Sequence, residues 1–405
     1  MIHLQILNGQ SNWIKKGNGC DCLGKTTNRL VYGLIRVLDY LWPKDSRILL
    51  FGSRSGANPS GNSKALFEYI QNLNDTPFEC YFALAAESDN PRYIRIRHPS
   101  IKAIRLFLRA KTILMTNSLG DFGNFRPSKR KNIIHLWHGQ GPKADGYASR
   151  KFNKEMLRDS EYWHRYTTAF VTCSRLDSYM RAYAHALHPT QILPVGYPRC
   201  DYLLDKERWE SKIPTIYSDL PDYERVVLYA TTWRTDEVVR YFPFEDFTQN
   251  DLEKWCKDNK ILMLIRSHDA DSGKIEESLH VRNLSFAIQP DVAEILPEVD
   301  LLINDYSSIQ SDFMLLDRPM IFVPYDLEKF LSLQDFCYPN YDFWCPGQKV
   351  YTFKDFKKAI EEAFRGNDPY TEQRELVNSL INEYQTPGAT QRVYEYLLHL
   401  LEFRS

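Results

Sequence analysis

From Ile48 onward the chain repeats one pattern: a short apolar run, a polar loop at the run's end, then a longer amphipathic stretch. ILLFG (48–52), CYFAL, TILMTN, NIIHLWHG, AFVTCS and QILPVGYP carry the pattern to about Tyr202. It restarts with RVVLYATTW and continues through ILMLIRSH, LLINDYSS and PMIFVPYD. Runs that are apolar throughout, rather than alternating, suit strands buried on both faces, and helices between them make those strands parallel. Two sets in succession predict an α/β chain of two Rossmann-like domains, which 405 residues can accommodate. We divide it into an N-terminal extension with an amphipathic helix (1–45), a first domain (46–205), a second domain (206–385) and a C-terminal helix (386–405). The hinge is expected near 206–221. The last helix, ATQRVYEYLLHLLEF, is amphipathic and suited to packing back across the first domain.

Composition narrows the class. The chain is 43% hydrophobic and 25% charged, the balance of a globular protein. A net charge of -1 points to no particular partner, but the distribution is uneven. Between 92 and 131 stand Arg92, Arg95, Arg97, Lys102, Arg105, Arg109, Lys111, Arg126, Lys129, Arg130 and Lys131, against Asp121 as the only acid. Such a stretch either faces phosphate or anionic lipid, or is a solvated basic face. The eight cysteines are scattered, and the close pair Cys20 and Cys22 has no matching second pair, so neither a zinc site nor a disulfide framework is expected. The N-terminus is too polar for a signal peptide, and no apolar run reaches the ~18 residues of a membrane span. The expected location is cytoplasmic, with any membrane contact made peripherally, on the inner face.

In open α/β sheets ligands bind beyond the carboxyl ends of the strands, so residues just after the apolar runs are the candidates. His138 follows NIIHLW and precedes a Gly-rich turn, where a histidine can serve as general base; Lys143, five residues on, can neutralise phosphate. The plainer alternative is a loop histidine that caps a turn. His268 occupies the equivalent place after ILMLIRS, which puts one strand-end histidine in each domain. LLINDYSSIQSDF runs a strand into Ser307 and Ser308 at the start of a helix, a place for an anion or for a simple cap with Asp312 in the first turn. VVLYATTWR sets Thr232 and Arg234 after another strand, where the arginine can grip phosphate or form a salt bridge. In VGYPRCD the simplest expectation is a rigid turn with an Arg199–Asp201 pair.

Two further features concern the edges of the molecule. GCDCLGKT (19–26) matches the phosphate-loop pattern letter for letter, but the polar NGQSNWIKKGN before it is no buried strand, so nucleotide binding there is not expected. RLVYGLIRVLDYLW is a helix suited to a membrane interface or to packing on the first domain. SIKAIRLFLRAK sets Lys102, Arg105 and Arg109 in a stripe beside Ile101, Ile104 and Leu108.

Taken in order, NSKALFEY, HLWHGQGPKADG, VGYPRCDYLL, VLYATTWR, IRSHDA, DLLINDYSSIQSDF, RPMIFVPYDLEKF and YPNYDFWCPG resemble the CDP-glycerol:poly(glycerophosphate) glycerophosphotransferase family, which builds teichoic acids and related capsule backbones. The resemblance runs from about Ile48 to the C-terminus. It implies a GT-B-like fold with the sheets facing a central cleft, and transfer of a polyol phosphate from CDP-glycerol or CDP-ribitol to a lipid-linked or polymeric acceptor, with release of CMP. It implies His138 as the base, His268 beside it in catalysis, and Thr232, Arg234, Arg266, Ser307, Ser308 and Asp312 on the donor, with Lys143 touching phosphate. It implies an anionic membrane surface as a partner, no nucleic acid, no metal, and no cofactor, since the CDP-polyol is a substrate. The chain departs from the family pattern at Gln140-Gly141-Pro142, where Thr-Pro-aliphatic is usual, at Thr231, where proline is usual, and at Asp269 after the second histidine.

Other readings predict other products. A GT-B glycosyltransferase would share the cleft and release UDP or GDP rather than CMP. A non-catalytic polymer-binding partner would not need the histidines, and a phosphate-loop NTPase would depend on Lys25.

Overall fold

The computed structural model describes residues 22–96, 100–123, 125–141, 143–150, 153, 157, 161, 165–232, 234, 239–267, 276–338 and 340–402, with backbone alone for 22–31. Two parallel sheets organise it. The first holds β1 (Asp45–Phe51), β2 (Glu79–Leu84), β3 (Tyr93–Arg95), β4 (Ala110–Met115), β5 (Asn132–His135), β6 (Thr167–Thr172) and β7 (Ile192–Pro194), in the order β3-β2-β1-β4-β5-β6-β7. The second holds β8 (Arg225–Ala230), β9 (Ile261–Arg266), β10 (Val281–Asn283), β11 (Leu301–Asn304), β12 (Met320–Phe322) and β13 (Gln348–Lys349), in the order β10-β9-β8-β11-β12-β13. Both orders turn back at the first strand, which creates a switch point beyond β1 and β4 in one domain and beyond β8 and β11 in the other. The fold is GT-B-like, as the resemblance implied.

The apolar runs are strands because each has two faces to bury. Along β9, Leu262 and Leu264 enter the core on one side of the second sheet, while Ile261, Met263 and Ile265 enter the core on the other. β11 does the same, with Leu302 on one side and Leu301 and Ile303 on the other. The connection through 206–221 is packed down by Ile213, which is wholly buried in the second domain's core.

The helix Ala389–Glu402 returns to the first domain, as expected, and buries Val393 and Leu397 in its core. Its Tyr394 ring lies edge-on to Tyr69 and Phe78, at 6.0 and 5.9 Å between centroids. Asp201 starts this helix: its carboxylate accepts the N–H groups of Gly388, Ala389 and Thr390 at 2.9, 2.9 and 2.8 Å. The expected Arg199–Asp201 pair is therefore not formed. Free amides at a helix start attract a carboxylate strongly, and Arg199 has another partner.

The N-terminal helix spans Cys22–Leu41, so Lys25 and Thr26 of the phosphate-loop match lie within a helix, and 19–21 lie outside the described residues. Asp39 fixes this helix to the domain. Wholly buried, it accepts from Lys44 Nζ at 2.8 Å, from Lys131 Nζ at 3.0 Å and from Ser128 N at 2.7 Å. Lys131, read above as part of a basic face, is thus an interior ion, and Leu108, read as flanking the basic stripe, is in the core.

Candidate active site in the interdomain cleft

His138 stands three residues beyond the end of β5, on a turn that the backbone bends sharply. Leu136 still pairs with Met115, but Trp137 adopts a left-handed conformation (φ 58°), a costly one for a bulky residue. The bend brings His138 Nδ1 to 3.0 Å from the carbonyl oxygen of Thr116, just after β4. A carbonyl only accepts, so Nδ1 carries the proton and Nε2 keeps its lone pair. His138 remains exposed to solvent. Protein mass around the ring disfavours the imidazolium and lowers its pKa to about 4; the Thr116 carbonyl and Asp145 oppose this shift, and Arg199 and Arg181 add to it. The imidazole is neutral at pH 7 and presents one unprotonated nitrogen to the cleft.

The opposite wall is Ser307 and Ser308, after β11. Both are half-buried, and neither hydroxyl has a hydrogen-bond partner among the described residues. Ser308 leads into the short helix Ile309–Phe313 without capping it through its side chain. The two walls touch. A Cβ added at Gly141 would stand 2.8 Å from Ser308 Cβ, and one at Gly139 would stand 2.9 Å from Arg199 Nη2 and 3.4 Å from Ser308 Oγ. The glycines at 139 and 141 let the histidine's loop lie directly on the serine loop. Lys143, on the same loop, pairs by backbone with Phe336 of the second domain. Its amine has no partner among the described residues, and it lies near enough to Asp305, Asp145 and Arg234 to feel their charges. Burial lowers its pKa, the two carboxylates oppose that, and Arg234 adds to it. An unpaired cation at a domain boundary is suited to an anion.

The remaining residues singled out in the sequence are engaged with the protein itself. Asp312 takes Arg199 through both oxygens, from Nε at 3.0 Å and Nη2 at 2.8 Å, and this buried pair bridges the domains. Arg234 lies between Asp305 (3.0 Å) and Asp326 (2.8 Å), with Nη1 on the carbonyl of Thr232 at 2.6 Å. The salt-bridge alternative describes these contacts. Thr232 gives its N–H and hydroxyl to Asp305, both at 2.8 Å. Arg266 braces the loop after β10, donating to the carbonyls of Leu284, Ser285, Gln289 and Pro290. Phe286 of that loop lies between Arg266 and Arg54 of the first domain, each 3.9 Å from the ring centre. His268 lies outside the described residues.

Three contributors escaped sequence reasoning. Thr116 supplies only a carbonyl, which any residue carries. Asn62, in NSKALFEY, gives Nδ2 to the carbonyls of Leu136 and Trp137 at 2.8 and 3.0 Å and accepts Arg199 N at 3.1 Å. Gln140 joins the domains by donating to the Tyr338 hydroxyl at 3.1 Å. For Asn62 there was a signal: a polar residue after the first strand of the sheet, next to the switch point.

Known proteins bear on this cleft. The teichoic acid ribitol-phosphate polymerase TarK of Staphylococcus aureus (strain NCTC 8325 / PS 47) is 26% identical over 372 residues, covering 88% of this chain and 70% of that protein. The teichoic acid glycerol-phosphate transferase of the same strain is 25% identical, covering 91% of this chain and 97% of that protein. In fold the chain is similar to the wall teichoic acid polymerase TagF, with a TM-score of 0.79 at 20% identity over 94% of this chain and 97% of that one. The sequence profile of the CDP-Glycerol:Poly(glycerophosphate) glycerophosphotransferase family matches residues 34–399, and the chain belongs to that family.

Proposed function

We propose that the cleft moves a glycerol-phosphate or ribitol-phosphate unit from its CDP-activated form to a hydroxyl of a lipid-linked or growing teichoic acid polymer. Family membership makes the chain a polyol-phosphate transferase, and the observation that carries the mechanism is the Nδ1 contact of His138 with the Thr116 carbonyl. That contact leaves Nε2 free to take a proton from an acceptor hydroxyl. The hydroxyl oxygen attacks the β-phosphorus, which carries the polyol. The bond from that phosphorus to the bridging oxygen breaks, and CMP leaves with the bridging oxygen. The proton rests on His138 and returns to solvent.

Ser307, Ser308 and Lys143 are the groups available for the diphosphate, and His268, two residues past β9 in sequence, joins them in this reading. Donors aimed at charge that grows in the transition state are worth ~3–4 kcal/mol each. Arg234, Thr232, Arg266 and Asp312 contribute by shape: they fix the loops that form the donor wall. The reading needs no metal or cofactor, because cationic and hydroxyl side chains supply the phosphate contacts.

The acceptor's lipid end calls for a membrane surface, and the reading places the protein peripherally on the cytoplasmic face. Among the described residues no helix is long and apolar enough to cross a membrane. The support is the exposed apolar residues Leu34, Val37 and Leu41 near the basic stripe of Lys102, Arg105 and Arg109. The deciding experiment offers CDP-glycerol and CDP-ribitol separately, with lipid-linked and polymeric acceptors, and follows CMP. Release of CMP by the wild type but not by His138→Asn supports the reading. No CMP from either donor, with UDP or GDP released from nucleotide sugars instead, would replace it with the glycosyltransferase.

A further inference from the structure

We propose that Asn62 is the positioning residue for the base, acting through the two backbone carbonyls that precede His138. The proposal rests on the reading of His138 as that base. Asn62 is wholly buried in the first turn of the helix Gly61–Gln71, beyond the carboxyl end of β1. Its amide nitrogen has two protons, and both are given to the turn that carries the histidine, at the carbonyls of Leu136 and Trp137. Its amide oxygen accepts the backbone N–H of Arg199.

The geometry of that turn is the one that needs holding. Trp137 is left-handed, and an aromatic residue released from its partners relaxes toward extended or right-handed backbone. Rotation at Trp137 carries His138 with it and breaks the Nδ1 contact with Thr116, which fixes the tautomer. Two hydrogen bonds to successive carbonyls oppose that rotation, and among the described residues no other side chain donates to either. The same amide also ties the turn to Arg199, whose guanidinium holds Asp312 just beyond the serine loop. Asn62 therefore links the orientation of the base to the bridge between the two walls of the cleft.

A buried asparagine that merely satisfies the core has the same contacts, so the test must separate position from stability. Steady-state CMP release is measured for the full chain, with whichever of CDP-glycerol and CDP-ribitol the wild type uses. Asn62→Asp keeps the shape and the acceptor but removes both donors; Asn62→Ser is the milder second variant. Misplacing a catalytic group by ~1 Å can cost about 100-fold, so Asn62→Asp should lower kcat by about that factor. KM for the donor should stay within about 3-fold, because the donor wall is untouched, and Asn62→Ser should lose less.

The decisive measurement is the pair with His138→Asn. A residue that acts only through His138 has nothing left to position once the imidazole is gone, so adding Asn62→Asp should change the residual rate by less than about 3-fold. Equal losses in both backgrounds, wild-type kcat in Asn62→Asp, or failure of both Asn62 variants to bind donor in calorimetry would each overturn the proposal. Retention of most of the wild-type kcat by His138→Asn is a different failure: it removes the base itself, and this proposal with it.

Discussion

Arg199 and Asp312 meet in a two-point contact, Nε to Oδ2 at 3.0 Å and Nη2 to Oδ1 at 2.8 Å, although 113 residues separate them in sequence. Both are buried, one on each side of the cleft. Removing one partner strands the other's charge away from water, which costs about 3–5 kcal/mol, whereas replacing both with apolar side chains is often neutral. Asp312→Ala should therefore lower the urea midpoint more than the double variant Arg199→Met, Asp312→Leu. An unchanged midpoint in Asp312→Ala would show that the bridge is not formed in solution.

The state of His138 makes a pH prediction with a definite sign. Its pKa is lowered to about 4, so the imidazole stays unprotonated from neutral pH down to that region. kcat/KM should be flat through the range where free histidine titrates, near 6.5, and fall only as pH drops toward about 4. His138→Asn should lower kcat by about 100- to 10,000-fold at neutral pH with donor affinity nearly intact. An acid limb centred at the ordinary histidine value would mean that the ring is not held as described.

On the donor side, free and engaged groups should behave differently. Lys143 has no partner among the described residues, and bonds to charged groups are worth about 1.5–3 kcal/mol, so Lys143→Ala should weaken CDP-donor binding by about 10- to 100-fold. Ser307→Ala and Ser308→Ala should weaken it by less. Arg234→Ala should act mainly on stability, because it leaves the carboxylates of Asp305 and Asp326 without their shared cation. Calorimetry and thermal unfolding on the same variants separate the two effects. A large affinity loss in Arg234→Ala with unchanged melting would return the arginine to the donor.

Gly141 offers a steric test of how closely the walls approach. The methyl group of Gly141→Ala would meet Ser308 Cβ at 2.8 Å and Cα at 3.0 Å, distances that force one loop to move. Both kcat and donor affinity should fall, because His138 and the serines sit on the two loops being separated. Wild-type kinetics in this variant would show that the walls are apart during turnover.

These expectations differ in how much of them the sequence already carried. β1, β9 and β11 were legible because both faces are buried, and an uninterrupted apolar run has few other uses. β3, β10 and β13 are edge strands of two or three residues, too short to leave a pattern. His138 and the serines were legible because they follow such runs at the switch points. What the charged side chains do was not, because their partners are remote: Asp326 lies 92 residues from Arg234. Lys131 looked like surface for the same reason, since its partner Asp39 comes from the N-terminal helix.

The last prediction concerns the outer face of that helix. Ile35 and Asp39 point inward, while Leu34, Val37 and Leu41 are 60%, 57% and 66% exposed at helical spacing, and Ile101 on the neighbouring helix is 70% exposed. Lys102, Arg105 and Arg109 line the same helix as Ile101, although Arg109 also meets Asp45 at 3.1 Å. Apolar residues beside cations suit an anionic interface, where burial of the first adds to attraction of the second. Each cation near such a surface contributes ~1 kcal/mol, and that part fades as the Debye length shrinks to ~3 Å at about 1 M salt. Co-sedimentation with phosphatidylglycerol-containing and neutral phosphatidylcholine vesicles, at low and high salt, should show binding to the first that salt reduces. Changing Lys102, Arg105 and Arg109 together to Gln should remove the salt-sensitive part. Changing Leu34, Val37 and Leu41 together to Ser should remove what survives at high salt. Equal binding to both vesicle types, or full binding by both triple variants, would assign the membrane contact to another part of the protein; no binding at all would point to an acceptor presented in solution or by another protein.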